Sequence, residues 1–248
     1  MFTIRNGTLA RLLLSLAGLC SAEAAWPLVA LTTEALPFSY TAPGGEVVGV
    51  SADVVAEMAR RAALPLVIDN RRPWARAMWD AQHLADTCAF SVSREAGRET
   101  LYQWIGPIAN NRWALFARAD FAGKVETIAD AKRYRVGGLR ADAKTEFLAA
   151  RGVDVETVGN DRSNAAKLGA GRIDLWVSGV YTAQQTAEAV GVHGIKLVLV
   201  FHETPSYLAC SHGTSADTVH RLADALVAMR RDGFVTKAQA FHRGRFGW

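Results

Sequence analysis

The sequence is poor in cysteine and proline, and neither sign of charge is in large excess. Three cysteines among 248 residues are too few for a disulfide scaffold, and none has the Cys/His spacing of a structural zinc site. The 28 Lys+Arg and 24 Asp+Glu residues are dispersed, and the net charge is only +4. A nucleic-acid-binding protein would carry a clustered basic face, so we expect no nucleic-acid partner. Half of the residues are hydrophobic, which excludes intrinsic disorder.

Long hydrophobic runs are also missing. The longest mainly apolar run, Leu12–Leu19, is far shorter than the ~20 residues that span a bilayer. Arg5 and Arg11 precede it and Ala22-x-Ala24 follows, which is typical of a secretory signal peptide. We therefore predict a signal peptide at residues 1–24, cleavage near Ala24, and a periplasmic protein.

Cys20 leaves a lipoprotein open as an alternative to a soluble exported protein. The residues before Cys20 begin like a lipobox, but Leu19 stands where a small residue is expected. We favour plain cleavage. The two cysteines that remain after cleavage are Cys88 and Cys210.

Short apolar segments alternate with helical patterns through the rest of the chain. Strands are predicted at residues 28–31, 66–68, 87–92, 113–117, 135–138, 153–158, 173–177, 196–200 and 207–210. Helices are predicted at about residues 51–64, 74–84, 144–150, 163–168 and 216–231. The order of strand and helix is that of an α/β protein, and it occurs twice. Two similar lobes imply a cleft between them, which is a common place for a small ligand.

Three segments carry a more specific pattern. The first is Glu34–Tyr40 with its Pro37-Phe38 step, followed by a Gly-Gly turn. The second is Ser91-Val-Ser93, Arg98 and Trp104-Ile-Gly-Pro107, and the third is Gly171-Arg-Ile-Asp174. In this order and spacing they resemble the bacterial extracellular solute-binding proteins of family three, the periplasmic polar amino-acid-binding type, substrate-binding proteins of ABC transporters. The resemblance runs from about residue 27 to residue 243.

The resemblance implies a two-lobed periplasmic-binding-protein-like fold with mixed, mostly parallel sheets, two crossover strands and an interlobe cleft. Lobe one would comprise residues 25–113 and 207–248, and lobe two residues 114–206. The crossover strands are expected near 114–118 and 204–206. Such proteins close on a small polar solute and deliver it to a membrane ABC permease. We expect a monomer without a cofactor or metal.

Nine residues are predicted to hold the solute. Arg98 lies where the resemblance places the arginine that binds a ligand carboxylate, and a guanidinium matches that geometry. Phe38 and Trp74 would stack against the ligand, and Glu34 could contact a cation. The remaining predicted site residues are Arg76, Ser91, Ser93, Arg140 and Ser178. Together they favour an anionic or carboxylate-bearing, amino-acid-like solute.

Three positions differ from the amino-acid-binding pattern. Ala35 replaces an aromatic residue, and Ala143 lies within the Ala-Asp-Ala that replaces Gly-Thr-Thr. Gly179 replaces the acid that usually binds an α-ammonium group. Whether an amino acid is the solute therefore stays open.

The two remaining cysteines could form a disulfide. In folds of this type the strand that returns from the second lobe inserts beside the third strand of the first, which would make Cys88 and Cys210 neighbours. Export to an oxidising compartment favours one bridge, whereas burial as two small apolar side chains is the alternative.

Two other function classes stay open beside the binding protein. The chain has no nucleophile elbow, P-loop or dinucleotide fingerprint, so we expect no enzyme. A small dehydratase-like enzyme on the same fold is nevertheless an alternative, because a fold does not determine function. A stand-alone sensing module that reports its ligand to a membrane partner in trans is the other.

Overall fold

The computed structural model describes residues 26–246. The predicted signal peptide and Cys20 lie outside the described residues. Among those described, no helix combines the length and the apolar character needed to cross a membrane.

The first lobe is an α/β unit around three parallel strands. Its strands are β1 (Leu28–Leu31), a small hairpin of β2 (Tyr40–Thr41) and β3 (Val47–Val48), β4 (Leu66–Asp69) and β5 (Thr87–Ser93). Its helices are α1 (Val50–Arg61) and α2 (Trp74–His83), and a 3₁₀ helix follows at Ala96–Leu101. Strand β1 pairs in parallel with β4 and β5, so the carboxyl ends of all three meet at one edge.

The sequence of helix α1 accounts for its buried face and for where it begins. Its buried face repeats at helical spacing through Val54, Val55 and Met58, which pack into the core of the lobe. The helix begins after Gly49, whose φ is +128°. A Cβ at Gly49 would lie 2.6 Å from the carbonyl oxygen of Phe38, so only glycine permits this close approach.

Two long strands join the lobes. They are β6 (Gln103–Ala117) and β10 (Lys196–Cys210), which pair with each other in antiparallel fashion along most of their length. The sequence predicts separate strands at 196–200 and 207–210 and crossovers near 114–118 and 204–206. The division into two strands is wrong, because β10 runs through Pro205 as one strand. The expected crossover positions lie on β6 and β10.

The second lobe follows β6 with the same alternation. Its helices are α3 (Ile128–Ala131), α4 (Ala143–Ala149), α5 (Asp161–Gly169) and α6 (Ala183–Glu188). Its strands are β7 (Val136–Leu139), β8 (Val155–Val158) and β9 (Leu175–Gly179). The eight main strands form one sheet in the order β4-β1-β5-β10-β6-β9-β7-β8. The lobe limits stay a prediction, since β6 and β10 belong to both lobes.

The chain then returns to the first lobe. Helix α7 (Ala216–Arg231) packs Leu222, Leu226 and Met229 against the core residues of α1. Helix α8 (Phe234–Phe246) was not predicted; it is held by His242, whose Nε2 lies 2.7 Å from Asp53 Oδ2.

Cys88 and Cys210 are joined by a disulfide in the first lobe. Cys88 lies on β5 and Cys210 on β10, and the two are directly opposite in the antiparallel register. Both are fully buried. The bridge ties the returning segment to a strand 122 residues earlier in the chain.

Candidate functional site

A cavity of about 780 Å³ lies between the lobes. The first lobe contributes residues that follow β1 and β4, together with the end of β5. The second lobe contributes the ends of β7 and β9 and the segment that follows β8. Ligands of open α/β sheets bind at the carboxyl ends of strands, and both lobes present these ends to the same cavity.

Five of the nine predicted site residues lie on the wall of this cavity. They are Glu34, Phe38, Trp74, Ser91 and Ser178. Phe38, Trp74 and Ser178 are buried within it. The sequence places these five far apart, and the convergence of strand ends brings them together. Their roles in binding stay predictions.

Arg76, Ser93 and Arg140 do not lie on the cavity wall. Arg76 Nε forms an ion pair with Asp80 Oδ1 at 2.8 Å, and its guanidinium lies over the Trp79 ring. Asp80 is fully buried, and Arg72 and Arg76 together balance its charge. Ser93 is buried at the end of β5, opposite Ser206 of β10, and Arg140 is exposed after β7.

Arg98 also lies off the cavity wall, and it connects the two lobes. Its Nη2 donates to Glu146 Oε2 at 2.7 Å and to the carbonyl oxygen of Ala141 at 2.9 Å. Ala141 adopts a φ of +59°, a strained value for alanine. The Arg98 side chain is only 9% exposed. A carboxylate of this chain thus occupies the guanidinium that was predicted to bind a ligand carboxylate.

The lobes are in close contact around the cavity. Leu139 of the second lobe packs in the same buried cluster as Leu31 and Trp74 of the first. Together with the Arg98–Glu146 pair, this contact connects the two lobes.

Glu34 presents one carboxylate oxygen from the first lobe. Its Oε1 accepts hydrogen bonds from Asn70 Nδ2 at 2.6 Å, from the Thr41 amide at 3.1 Å and from the Thr41 hydroxyl. Within residues 26–246, no hydrogen bond or ion pair uses its Oε2. Neutral donors therefore orient the carboxylate, and its second oxygen is left available at the cavity wall.

Asp161 presents a carboxylate in the same way from the second lobe. Its Oδ1 accepts from Asn164 Nδ2 and from Trp176 Nε1, both at 3.0 Å. Burial raises the pKa of Asp161 above its ordinary value, although the hydrogen bond from Asn164 and the charge of Lys144 act in the opposite direction. Sequence reasoning missed this residue. Its signal is the polar run Gly159-Asn160-Asp161 directly after β8, where Asn160 caps helix α5.

Five further polar atoms on the wall are buried and lack a hydrogen-bond partner among the described residues. They are Trp74 Nε1, Ser91 Oγ, Asn111 Oδ1, Ser178 Oγ and Gln185 Oε1. Buried polar atoms are normally paired, because an unmade hydrogen bond costs about 1–3 kcal/mol. Their concentration on one wall indicates a surface arranged for a polar ligand.

Ser91 shows how local backbone structure contributes to this wall. Its φ is +62°, and the β5–β10 register shifts opposite it, between Tyr207 and Ala209. Such an irregularity redirects a side chain from the sheet, and strained residues concentrate at functional sites.

The wall also explains one departure from the amino-acid-binding pattern. A Cβ at Gly179 would lie 2.9 Å from Asn111 Oδ1, so the side chain of an acid does not fit there without a shift. Ala35 lines the cavity, and Ala143 is buried at the start of α4. Asp161 places a different carboxyl group of the second lobe on the cavity wall.

The sequence matches no protein-family model and no curated protein sequence. Solved structures are nevertheless similar in fold. A histidine kinase sensor domain with similarity to periplasmic binding proteins superposes with a TM-score of 0.79 at 17% identity, covering 88% of this chain and 96% of that one. An ancestral arginine-binding protein bound to arginine gives 0.75 at 17% identity, with coverage of 88% and 96%.

A third similar structure is an ancestral amino-acid-binding protein described as a precursor of cyclohexadienyl dehydratase. It gives a TM-score of 0.72 at 16% identity and covers 88% of this chain and 93% of that one. The predicted fold class is confirmed: this chain has the two-lobed periplasmic-binding-protein-like α/β fold.

Proposed function

We propose that the protein is a periplasmic solute-binding protein that captures a small polar solute in the interlobe cavity and delivers it to a membrane ABC transporter. The observation that carries this proposal is the unpartnered polar wall, to which both lobes contribute. The volume of about 780 Å³ is in the range of small-molecule pockets. Similar structures named as amino-acid-binding proteins support the same role.

The buried disulfide supports export. Disulfides persist in oxidising compartments such as the periplasm and are rare in the cytosol. The Cys88–Cys210 bridge is consistent with the signal peptide predicted at residues 1–24. Fusion of these residues to a reporter that is active only after export tests this part of the proposal.

The predicted anionic solute depends on Arg98. Arg98 is paired with Glu146, so a ligand carboxylate would have to replace Glu146 at Nη2. An amino-acid-like solute with a carboxylate would thus bind through an exchange of ion-pair partners.

A thermal-shift screen of amino acids, organic acids, amines, opines and small peptides tests the binding role. A solute at about 100 times its Kd stabilises the folded protein by about 2.7 kcal/mol. For a chain of this size that corresponds to a Tm increase of roughly 5–10 °C. A screen without any shift contradicts the proposal. A new product of a hit, detected by mass spectrometry, would replace it with the dehydratase-like alternative.

A sensing module acting in trans is the second candidate function. The similarity to a histidine kinase sensor domain favours it. Ligand-dependent co-purification separates the two: a permease partner supports delivery, and a receptor kinase supports sensing.

A further inference from the structure

The carboxylates of Glu34 and Asp161 face the cavity from opposite lobes and share one arrangement. In each, a single oxygen accepts hydrogen bonds from neutral donors and the other oxygen has no partner in the described part of the chain. Neutral donors fix the position of a carboxylate without neutralising it. Each lobe therefore holds an oriented carboxyl group at the wall.

Several positive groups of the wall form ion pairs within the chain. Arg71 and Arg72 are both paired with Asp69, at 3.2 and 3.1 Å, and Lys144 is paired with Asp142 at 2.9 Å. Arg162 is the exception among the described residues: it has no ion pair, and it is exposed. Glu34 and Asp161 are the carboxyl groups of the wall that hydrogen bonds from neutral donors hold in place and that no ion pair of the described residues uses.

The unpartnered polar atoms of the wall are mainly hydrogen-bond acceptors. Asn111 Oδ1 and Gln185 Oε1 are acceptors, and the hydroxyls of Ser91 and Ser178 can accept as well. Trp74 Nε1 is the one atom of this set that can only donate. With the two free carboxylate oxygens, the wall offers mainly acceptors and so matches a ligand rich in N–H donors.

Aromatic side chains on the wall favour the same chemistry. Phe38 and Trp74 line the cavity and are buried. A cation near an aromatic face gains additional electrostatic stabilisation when it is desolvated.

We propose that the solute is a small organic cation, an amine or guanidinium compound, held by Glu34 and Asp161, and that it needs no carboxylate. This inference rests on the proposed binding function and specifies its ligand class. Nη2 of Arg98, the predicted carboxylate anchor, donates to Glu146 and to the Ala141 carbonyl, and it keeps both contacts when the cation binds.

Calorimetric titration of the purified protein with three probes tests this assignment. Agmatine carries a guanidinium and an ammonium group without a carboxylate, arginine adds the carboxylate, and succinate has carboxylates alone. We expect agmatine to bind with an affinity within tenfold of that of arginine, and succinate not to bind. Agmatine at least 100-fold weaker than arginine, or binding of succinate alone, would overturn the proposal.

Matched variants then test the two carboxylates. Glu34→Gln and Asp161→Asn keep the shape and the anchored oxygen, and each should weaken agmatine binding by about tenfold or more. The controls are Glu46→Gln in the first lobe and Asp154→Asn in the second, both exposed and away from the cavity. They remove the same charge and should change the affinity less than twofold. Equal effects in the two sets would show that net charge alone attracts the cation and would overturn the assignment.

Failure of this proposal is distinct from failure of the binding function. If the thermal-shift screen finds an anionic or neutral solute and agmatine does not bind, the cation assignment is wrong and the binding function stands. If no solute of any charge binds, both are wrong. Circular dichroism of each variant confirms that it folds before its affinity is interpreted.

Discussion

The first lobe is assembled from two distant stretches of chain, whereas the second lobe comes from one continuous stretch. In the first, covalent and polar links join the early segment to the returning one: the Cys88–Cys210 disulfide, the Asp53–His242 contact and the Arg61–Asp232 ion pair. The second lobe is held mainly by apolar packing around β7 and β9. A lobe whose parts are far apart in sequence loses more chain entropy on assembly, so cross-links stabilise it more.

Loss of the disulfide should have the largest effect. For a separation of 122 residues, the chain-entropy treatment gives a stabilisation of about 4–5 kcal/mol as an upper value. We expect the double variant Cys88→Ala/Cys210→Ala to lose most of this free energy of unfolding in urea titrations. Reductant should destabilise the wild type and leave the variant unchanged. Equal urea midpoints for variant and wild type would refute the cross-link as the main tie of the first lobe.

Apolar packing should matter equally in both lobes. Leu148 of α4 in the second lobe and Leu222 of α7 in the first are both fully buried. Each substitution to alanine should lower the free energy of unfolding by about 3 kcal/mol, because it removes apolar contacts and leaves a cavity. Urea titration of both variants measures this. A large loss in one lobe only would show that the lobes differ in packing and not only in cross-links.

The contact that holds α8 should have a smaller effect. His242 is buried, and its Nε2 lies 2.7 Å from Asp53 Oδ2. We expect His242→Ala to cost about 2 kcal/mol, because it removes a buried hydrogen bond to a charged group. His220→Ala, an exposed position on α7, is the control and should be nearly neutral. Similar unfolding midpoints for the two variants would show that the His242–Asp53 contact does not stabilise the fold.

The smallest effect is an acid-dependent one at Glu57. Hydrogen bonds from Arg60 and Arg61 lower the pKa of Glu57 to about 2. Arg61 also forms an ion pair with Asp232 in the returning segment. Because the folded pKa is below the unfolded value, the stabilisation is present above about pH 4.5 and is lost as the pH falls toward 2.

Glu57→Gln should therefore cost about 1 kcal/mol at pH 7 and nothing near pH 2. Urea titrations at several pH values measure the difference. Glu126→Gln, an exposed carboxylate in the second lobe, is the matched control and should stay within 0.5 kcal/mol of the wild type at every pH. A Glu57→Gln deficit that persists at pH 2 would contradict the ion-pair explanation.

Local patterns in the sequence predicted much of the fold. The periodicity of α1 and the stop at Pro65 place that helix, and β-branched segments place β4 and β5. Helix α8 escaped prediction because its residues form no clear apolar face; it is held by the buried contact of His242 and by the packing of Phe234 and Val235 against the core. Strand β10 was divided in two because only residues 196–200 and 207–210 carry a clear apolar strand pattern.

The candidate site was less predictable. Glu34 and Trp74 follow strands that the sequence reveals, Ser91 lies near the end of β5, and all three line the cavity. Asp161 carries no motif, and only the meeting of the two lobes gives it a role at the cavity. The resemblance placed Arg98 in the ligand site, yet no sequence pattern shows that Glu146 approaches it from the other lobe.

By itself the sequence determined the α/β class, the repeated strand–helix alternation and most element positions, since these depend on periodicity and on turn residues close together in the chain. Only the tertiary structure decided which ionisable side chains have an ion-pair partner. Arg98 is paired across the cleft, whereas Glu34 and Asp161 are oriented by neutral donors toward a shared cavity. Charge pairing depends on distances between segments that are far apart in sequence, and those distances exist only after the lobes have folded and come into contact.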